Sequence, residues 1–300
     1  MHLLATSTTT AHLLPWWKAA ILGVVEGLTE YLPISSTGHL LVAARLLDLP
    51  SKQGTAALEA VNTYVVAIQF GAILAVVGLF WRRFRQMVRG LFGQDDDGRH
   101  LLTVLVIAFL PSAIVGVALD KTIERVLFGP WPVVLAWIVG GAAILLLQRM
   151  QLIPSGTHEP PKRRRRRSDS PISITYRQAL IIGLAQCLSL WPGTSRSMVT
   201  ILAALVLGVS MSAAVEFSFL LGFATLTAAT LYKLAKNGHT LVQQFGLAGP
   251  LVGAVFALGG AIVSIKWLVT YLRRHDLSIF AWYRFGVAAL TIGLLAGGAI

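Results

Sequence analysis

A single cysteine, Cys187, is all the thiol this chain has, which excludes an internal disulfide framework and any thiolate metal cluster. Its apolar flanks point to packing rather than reactivity. Charge is scarce as well. Only 13% of the 300 residues are Asp, Glu, Lys or Arg, against 55% hydrophobic, and the mean hydropathy is +0.71. A soluble domain of this length has no use for so much apolar sequence, so the composition implies a polytopic helical membrane protein. The first fourteen residues hold no Lys or Arg, which argues against a cleavable signal peptide with a basic start. Acidic residues are outnumbered by basic ones, 13 to 25, and Arg163 to Arg167 form a basic run. Basic residues gather in loops that stay in the cytoplasm, and no nucleic-acid partner is expected.

Six stretches are long and apolar enough to cross a bilayer: about 61–81, 101–119, 131–148, 212–232, 249–270 and 280–299. Trp81, Trp131, Trp267 and Trp282 flank them as interfacial anchors. Two further apolar regions, 16–49 and 176–208, are split near the middle by Pro33 and Pro192. Each half is too short to cross, and an unwound centre survives at that depth only when buried in protein. Both regions therefore read as re-entrant helix hairpins. The plan repeats: residues 1–150 and 172–300 each hold a hairpin followed by three spans, joined by a polar, basic, proline-containing linker at 151–171. Gly23-Val-Val-Glu26 matches Gly183-Leu-Ala-Gln186, and with a one-residue gap Pro33-Ile-Ser-Ser36-Thr pairs with Pro192-Gly-Thr-Ser195-Arg. Three crossings are odd in number, so the second copy should be upside down, an all-α inverted-topology repeat with its site where the broken helices meet.

The loops set the expected sidedness. One side, with 82–100, 149–177 and 271–279, carries 15 Lys or Arg, and the other carries 7. The richer side should be cytoplasmic, placing both termini and the mouth of the first hairpin outside.

Polar groups at bilayer depth are expensive and point to function. Glu26 and Glu30 lie four apart, on one face of the first half-helix. Two carboxylates so close call for a divalent cation, for Arg196, or for a shared proton. Glutamate oxygens suit Mg²⁺ or Ca²⁺, which also bridge phosphate oxygens. Ser35, Ser36, Thr37 and Gly38 open the next half-helix, whose free N–H groups and hydroxyls make a phosphate cradle. A serine near His39 and Glu30 is a candidate nucleophile, and His39 a candidate acid, base or nucleophile. Arg196 starts the second half-helix of the second hairpin among Thr194, Ser195 and Ser197, a bidentate phosphate ligand that would face Glu30 if the tips meet. Gln69 and Glu216, on the first span after each hairpin, are candidates to support a break by hydrogen bonding. Arg284 and Lys266 sit near span ends, where snorkelling accounts for them.

Glu26-Gly-Leu-Thr-Glu30, Pro33-Ile-Ser-Ser-Thr-Gly-His39 and Trp191-Pro-Gly-Thr-Ser-Arg-Ser197 resemble the signatures of the undecaprenyl-pyrophosphate phosphatase, or bacitracin-resistance, family. Ile68 to Ala75, Glu216 to Leu221 and Tyr283-Arg-Phe285 extend the resemblance. The family often has Gly where this chain has Met198. The resemblance implies an inverted repeat with two re-entrant hairpins and a divalent cation. It implies hydrolysis of undecaprenyl pyrophosphate to the monophosphate and phosphate, at the outer face of the bacterial plasma membrane, recycling the lipid carrier of cell-wall polymers. By motif position it implies Glu26, Glu30, Ser36, His39 and Arg196 as catalytic or phosphate-binding.

The expected protein is a six-span membrane phosphatase acting on a polyprenyl pyrophosphate, surrounded by membrane lipid, with its oligomeric state open and a homodimer as one option. A transporter or flippase for a polyprenyl phosphate carrier is the alternative, since transporters also use inverted repeats. The second type of membrane acid phosphatase is excluded: its histidine six residues after the arginine is Leu202 here, and no Lys-x6-Arg-Pro element precedes Ser35.

Overall fold

The structure, a computed structural model, describes residues 14–47, 49, 55–155 and 173–298. Most of the linker, including Arg163 to Arg167, lies outside the described residues, as does Lys52. Among the described residues there are eleven α-helices and no strand. They are α1 (Trp16–Thr29), α2 (Ser36–Leu46), α3 (Thr55–Leu79), α4 (Trp81–Leu91), α5 (Asp96–Leu127) and α6 (Pro130–Arg149), then α7 (Tyr176–Gln186), α8 (Arg196–Val206), α9 (Met211–Phe245), α10 (Ala248–Tyr271) and α11 (Ser278–Ala296).

Local chemistry starts these helices where they start. Asp95 caps α5 by accepting from the Gly98 N–H at 2.8 Å, with Asp96 and Asp97 facing the positive end of the helix dipole. Thr175 and Gln178 form a reciprocal capping box at the start of α7. Five helices, within α5, α6, α9, α10 and α11, are long and apolar enough to cross a membrane, and α3 with α4 makes a sixth candidate. Leu110, Ile114, Val117, Leu251, Val255, Val263 and Leu290 are exposed on their outer faces, as a lipid-facing surface requires.

The stretch after α3 differs from the expected loop. Residues 81–91 are helical and bend 80° from α3. Phe84, Met87, Val88 and Leu91 recur at helical spacing on one side, while Arg82, Arg85 and Arg89 fall on the other. This two-faced pattern suits a helix at an interface, and the bend at Phe80 separates it from the apolar run of α3. Contact between Gly90 and the Gly98–Arg99 backbone holds α4 against the start of α5.

Small residues let the helices approach closely, as in other membrane bundles. Gly23 meets the Gly253 backbone and Gly27 that of Ala257, seating α1 on α10, while Gly183 meets the Ala108 carbonyl, seating α7 on α5. Further pairings put α3 against α9 and α6 against α11. α1 packs against α2, and α7 against α8. Each of these four helices has 14 residues or fewer, so at about 1.5 Å per residue none spans a core of about 30 Å.

Candidate active site

The two breaks have matching backbones. Ser35 and Ser195, the N-cap residues of α2 and α8, both hold φ at 74°, with ψ at 103° and 111°. Left-handed backbone in a residue with a Cβ costs on the order of 1–3 kcal/mol and persists only where its surroundings enforce it. The bases of the hairpins close alike as well. Lys18 Nζ donates to the Leu47 carbonyl at 2.6 Å, and Gln178 Nε2 to the Leu207 carbonyl at 3.1 Å. Gly23 with Gly183, Lys18 with Gln178, Ser35 with Ser195 and Leu47 with Leu207 share one constant offset. The gap placed in the sequence alignment is therefore unnecessary. Ser36 corresponds to Arg196 rather than to Ser195, and Pro33 to Gly193, because dihedral position and not residue type defines the match.

The breaks meet. Ser36 Oγ donates to Glu30 Oε2, while Arg196 Nη2 donates to Glu30 Oε1 at 3.0 Å. Arg196 Nη1 is held by the Ser218 carbonyl at 3.0 Å, and its guanidinium lies 5.8 Å from the centre of the Tyr31 ring. Gly222 makes room for it, since a Cβ there would strike the guanidinium. Glu30 and Ser36 are buried, and Glu26 is fully so. Ser195 and Ser197 join the halves instead. Their hydroxyls donate to the Leu32 carbonyl at 3.4 and 2.9 Å, stitching the second break to the first. Ser195 Oγ also accepts from the Met198 N–H. Thr37 and Thr194 are half-buried, and among the described residues their hydroxyls make no hydrogen bond.

The donors at the start of α2 remain available. Among the described residues, the N–H groups of Ser36, Thr37 and Gly38 have no acceptor within the chain, as the first turn of a helix leaves them. Trp137 Nε1 donates to the Ile34 carbonyl at 3.0 Å. Because the peptide is planar and trans, that bond turns the Ser35 N–H away from Trp137. Gly38 packs on the Trp137 indole, where a side chain would not fit.

His39 is placed beside Ser36 but not bonded to it. Its Nδ1 lies 2.6 Å from the Ser35 carbonyl, and its Nε2 2.9 Å from the Tyr283 hydroxyl. A carbonyl only accepts, so Nδ1 carries the proton, and in the neutral ring Nε2 accepts from the Tyr283 hydroxyl. Stacking on Tyr283 at 5.6 Å and an edge contact with Trp137 fix the ring.

Among the described residues, both oxygens of Glu26 lack a hydrogen-bond donor, and the Nε–H of Arg196 lacks an acceptor. Glu26 lies within electrostatic reach of Glu30 and Arg196. A fully buried carboxylate without donors is strongly disfavoured unless a cation or proton meets it. This donor set fits a hard divalent cation. Among the described residues no group of three His, Cys, Asp or Glu is arranged for a metal, so phosphate oxygens and water would complete the shell, as is usual for Mg²⁺. Gln186, the counterpart of Glu26, instead donates to Ser112 Oγ at 2.5 Å.

Three sequence expectations are corrected here. Glu216 does not support a break: its Oε1 accepts from Arg83 Nε at 2.6 Å, tying α9 to α4. Gln69 is buried on α3, and among the described residues its amide bonds to neither break. Arg284 does not snorkel. It is fully buried, with all its partners backbone carbonyls at the two breaks and α6. An arginine inside an apolar span was itself the signal, because polar groups at that depth face the protein interior. Lys266 is exposed.

The chain is similar to known proteins over nearly its whole length. The chain is 42% identical over 280 residues to an undecaprenyl-diphosphatase of Sorangium cellulosum, covering 93% of this chain and 86% of that one. It is 45% identical over 276 residues to undecaprenyl-diphosphatase 2 of Rhodospirillum rubrum, covering 91% and 93%. With an undecaprenyl-diphosphatase of Acinetobacter baumannii it shares 38% over 275 residues, covering 92% and 94%. The model of the bacitracin resistance protein BacA family matches residues 19–290, and with relatives this similar over nearly their whole length the chain belongs to that family.

Proposed function

We propose that this protein is a multi-pass membrane undecaprenyl-diphosphatase, hydrolysing undecaprenyl pyrophosphate to undecaprenyl phosphate and inorganic phosphate. The observation that carries the reading is the Ser36–Glu30–Arg196 contact, which joins a hydroxyl, a carboxylate and a guanidinium across two helix breaks inside an apolar bundle. Family membership adds recycling of the cell-wall lipid carrier and bacitracin resistance.

Ser36 Oγ attacks the terminal phosphorus while Glu30 accepts its proton. As the bond to the bridging oxygen breaks, Glu30 passes that proton to the leaving oxygen, and undecaprenyl phosphate departs. Water then attacks the phosphoserine, again losing a proton to Glu30, and releases phosphate as the proton returns to Ser36. Arg196 and the N–H groups of Ser36, Thr37 and Gly38 meet the charge on the non-bridging oxygens, and Ser35 and Thr194 offer hydroxyls beside them. His39, with one nitrogen on a carbonyl and the other on Tyr283, suits the orientation of the break better than attack. Glu26, whose oxygens have no donor, would hold a divalent cation beside Glu30, and that cation would neutralise pyrophosphate oxygens. The carrier-transport alternative draws no support from a serine–glutamate contact, which suits chemistry rather than passage.

Two inverted repeats, 1–150 and 172–300, each a re-entrant hairpin with three spans, best account for the matched breaks and the reciprocal packing of α1 on α10 and α7 on α5. With the linker 151–171 cytoplasmic, the site opens outward and both termini lie outside. Labelling of that linker from outside intact cells would overturn this sidedness.

Purified protein in detergent should release phosphate from a polyprenyl pyrophosphate, with activity lost to a chelator and restored by Mg²⁺ or Ca²⁺. Glu26→Gln should raise the cation concentration needed for half-maximal activity by about tenfold or more, the penalty for losing one charged ligand. An unchanged cation dependence would remove Glu26 from the cation site. Gly222→Ala pushes a methyl group against the Arg196 guanidinium, so turnover should fall roughly tenfold through misplacement alone. Wild-type turnover in a folded Gly222→Ala protein would show that the Arg196 position is not critical.

A further inference from the structure

Arg284 lies within α11 with no exposed surface. Its Nη1 donates to the Pro33 carbonyl at 3.3 Å, and its Nη2 to the carbonyls of Gly193 at 2.9 Å and Ala136 at 2.8 Å. Its Nε donates to the Trp137 carbonyl at 3.2 Å. Among the described residues no carboxylate pairs with it. A buried guanidinium without a countercharge is costly, so packing alone would favour an apolar side chain here. Pro33 and Gly193 occupy equivalent positions, each two residues before the left-handed serine that starts the next half-helix. One planar, rigid cation therefore grips the same carbonyl in both breaks.

We propose that Arg284 is a positioning residue that locks the two breaks to each other and to α6, fixing Ser36 at the start of α2 relative to Arg196 at the start of α8. Without the fork, carbonyl oxygens from three segments converge with no donor between them, and the breaks separate. The consequence reaches Glu30, which must touch both Ser36 and Arg196 at once. Gly140 supports the lock from α6: a Cβ there would strike the guanidinium. This inference rests on the phosphatase reading for its kinetic consequence, but its structural core stands apart from it.

The test compares wild type with Arg284→Lys, Gly140→Ala and, as a control on an exposed cation, Lys266→Met. Lysine keeps the charge but cannot span the separated oxygens as a fork does. In Arg284→Lys, kcat should fall about 10²-fold with KM changed less than about threefold, the signature of misplaced reacting groups in an intact binding site. Gly140→Ala, which leaves Arg284 present but displaced, should lower kcat in the same way, and Lys266→Met should change nothing. Amide hydrogen exchange provides the readout independent of turnover: protection should fall together in the first hydrogen-bonded turns of α2, at 39–43, and of α8, at 199–203, in both variants. Exchange altered at only one break, or at neither, overturns the lock, as does wild-type kcat in Arg284→Lys. Wild-type protein that releases no phosphate overturns the phosphatase reading instead, and the exchange data then judge the lock alone.

Discussion

Ser36→Ala should reduce phosphate release by a factor on the order of 10³–10⁴ while leaving the protein folded. The substitution removes the attacking oxygen and nothing that packs. Ser36 reaches Glu30 through its hydroxyl, and the backbone donors at the start of α2 remain in place. Residual activity would come from water attacking a phosphorus still held by Arg196 and those N–H groups. Single-turnover measurement in detergent, with thermal melting in parallel, separates lost chemistry from lost fold. A folded Ser36→Ala protein with full activity would end the serine-nucleophile mechanism. It would also shift attention to water directed by Glu30.

The second large effect belongs to Arg196→Lys, for which turnover should fall by roughly 10²–10³. Arginine serves Glu30 and the Ser218 carbonyl with separate N–H groups of one plane. A lysine ammonium at the same place satisfies one of them or neither. Arg196→Met should be more severe for a second reason. It strands Glu30 as a buried unpaired carboxylate, which destabilises by about 3–5 kcal/mol. The lysine variant is thus the cleaner test of chemistry. Pairing it with Glu30→Gln should give losses well short of multiplicative, because both residues act through one contact. Independent, multiplicative losses would separate Arg196 from Glu30 functionally.

Much of this site is legible in the chain itself. Pro33 and Pro192 in apolar runs announce breaks, because proline cannot continue a helix ladder and lipid cannot satisfy the groups it frees. The Glu30–Arg196 contact follows from placing two unlike charges at the tips of two such breaks. Tertiary circumstance decides what is not legible. Arg284 carries two readings, since it stands inside an apolar run yet near a span end, and packing decides between them by turning it inward onto carbonyls. Arg83, which claims Glu216, belongs to α4, whose four arginines read as a polar loop although its apolar residues keep helical spacing. The one-residue slip in aligning the two broken segments comes from matching prolines, whereas left-handed backbone recurs at Ser35 and Ser195.

Those two serines bend the backbone identically yet answer to different demands. At 195 the side chain clasps Leu32 and shields the Met198 amide, so replacement there threatens assembly of the halves. At 35 the hydroxyl bonds to no described group, and glycine would adopt the dihedral more comfortably. An engineer seeking a hardier version of this protein should therefore find permissive ground on one side of the seam only, and should watch whether catalysis survives the relief.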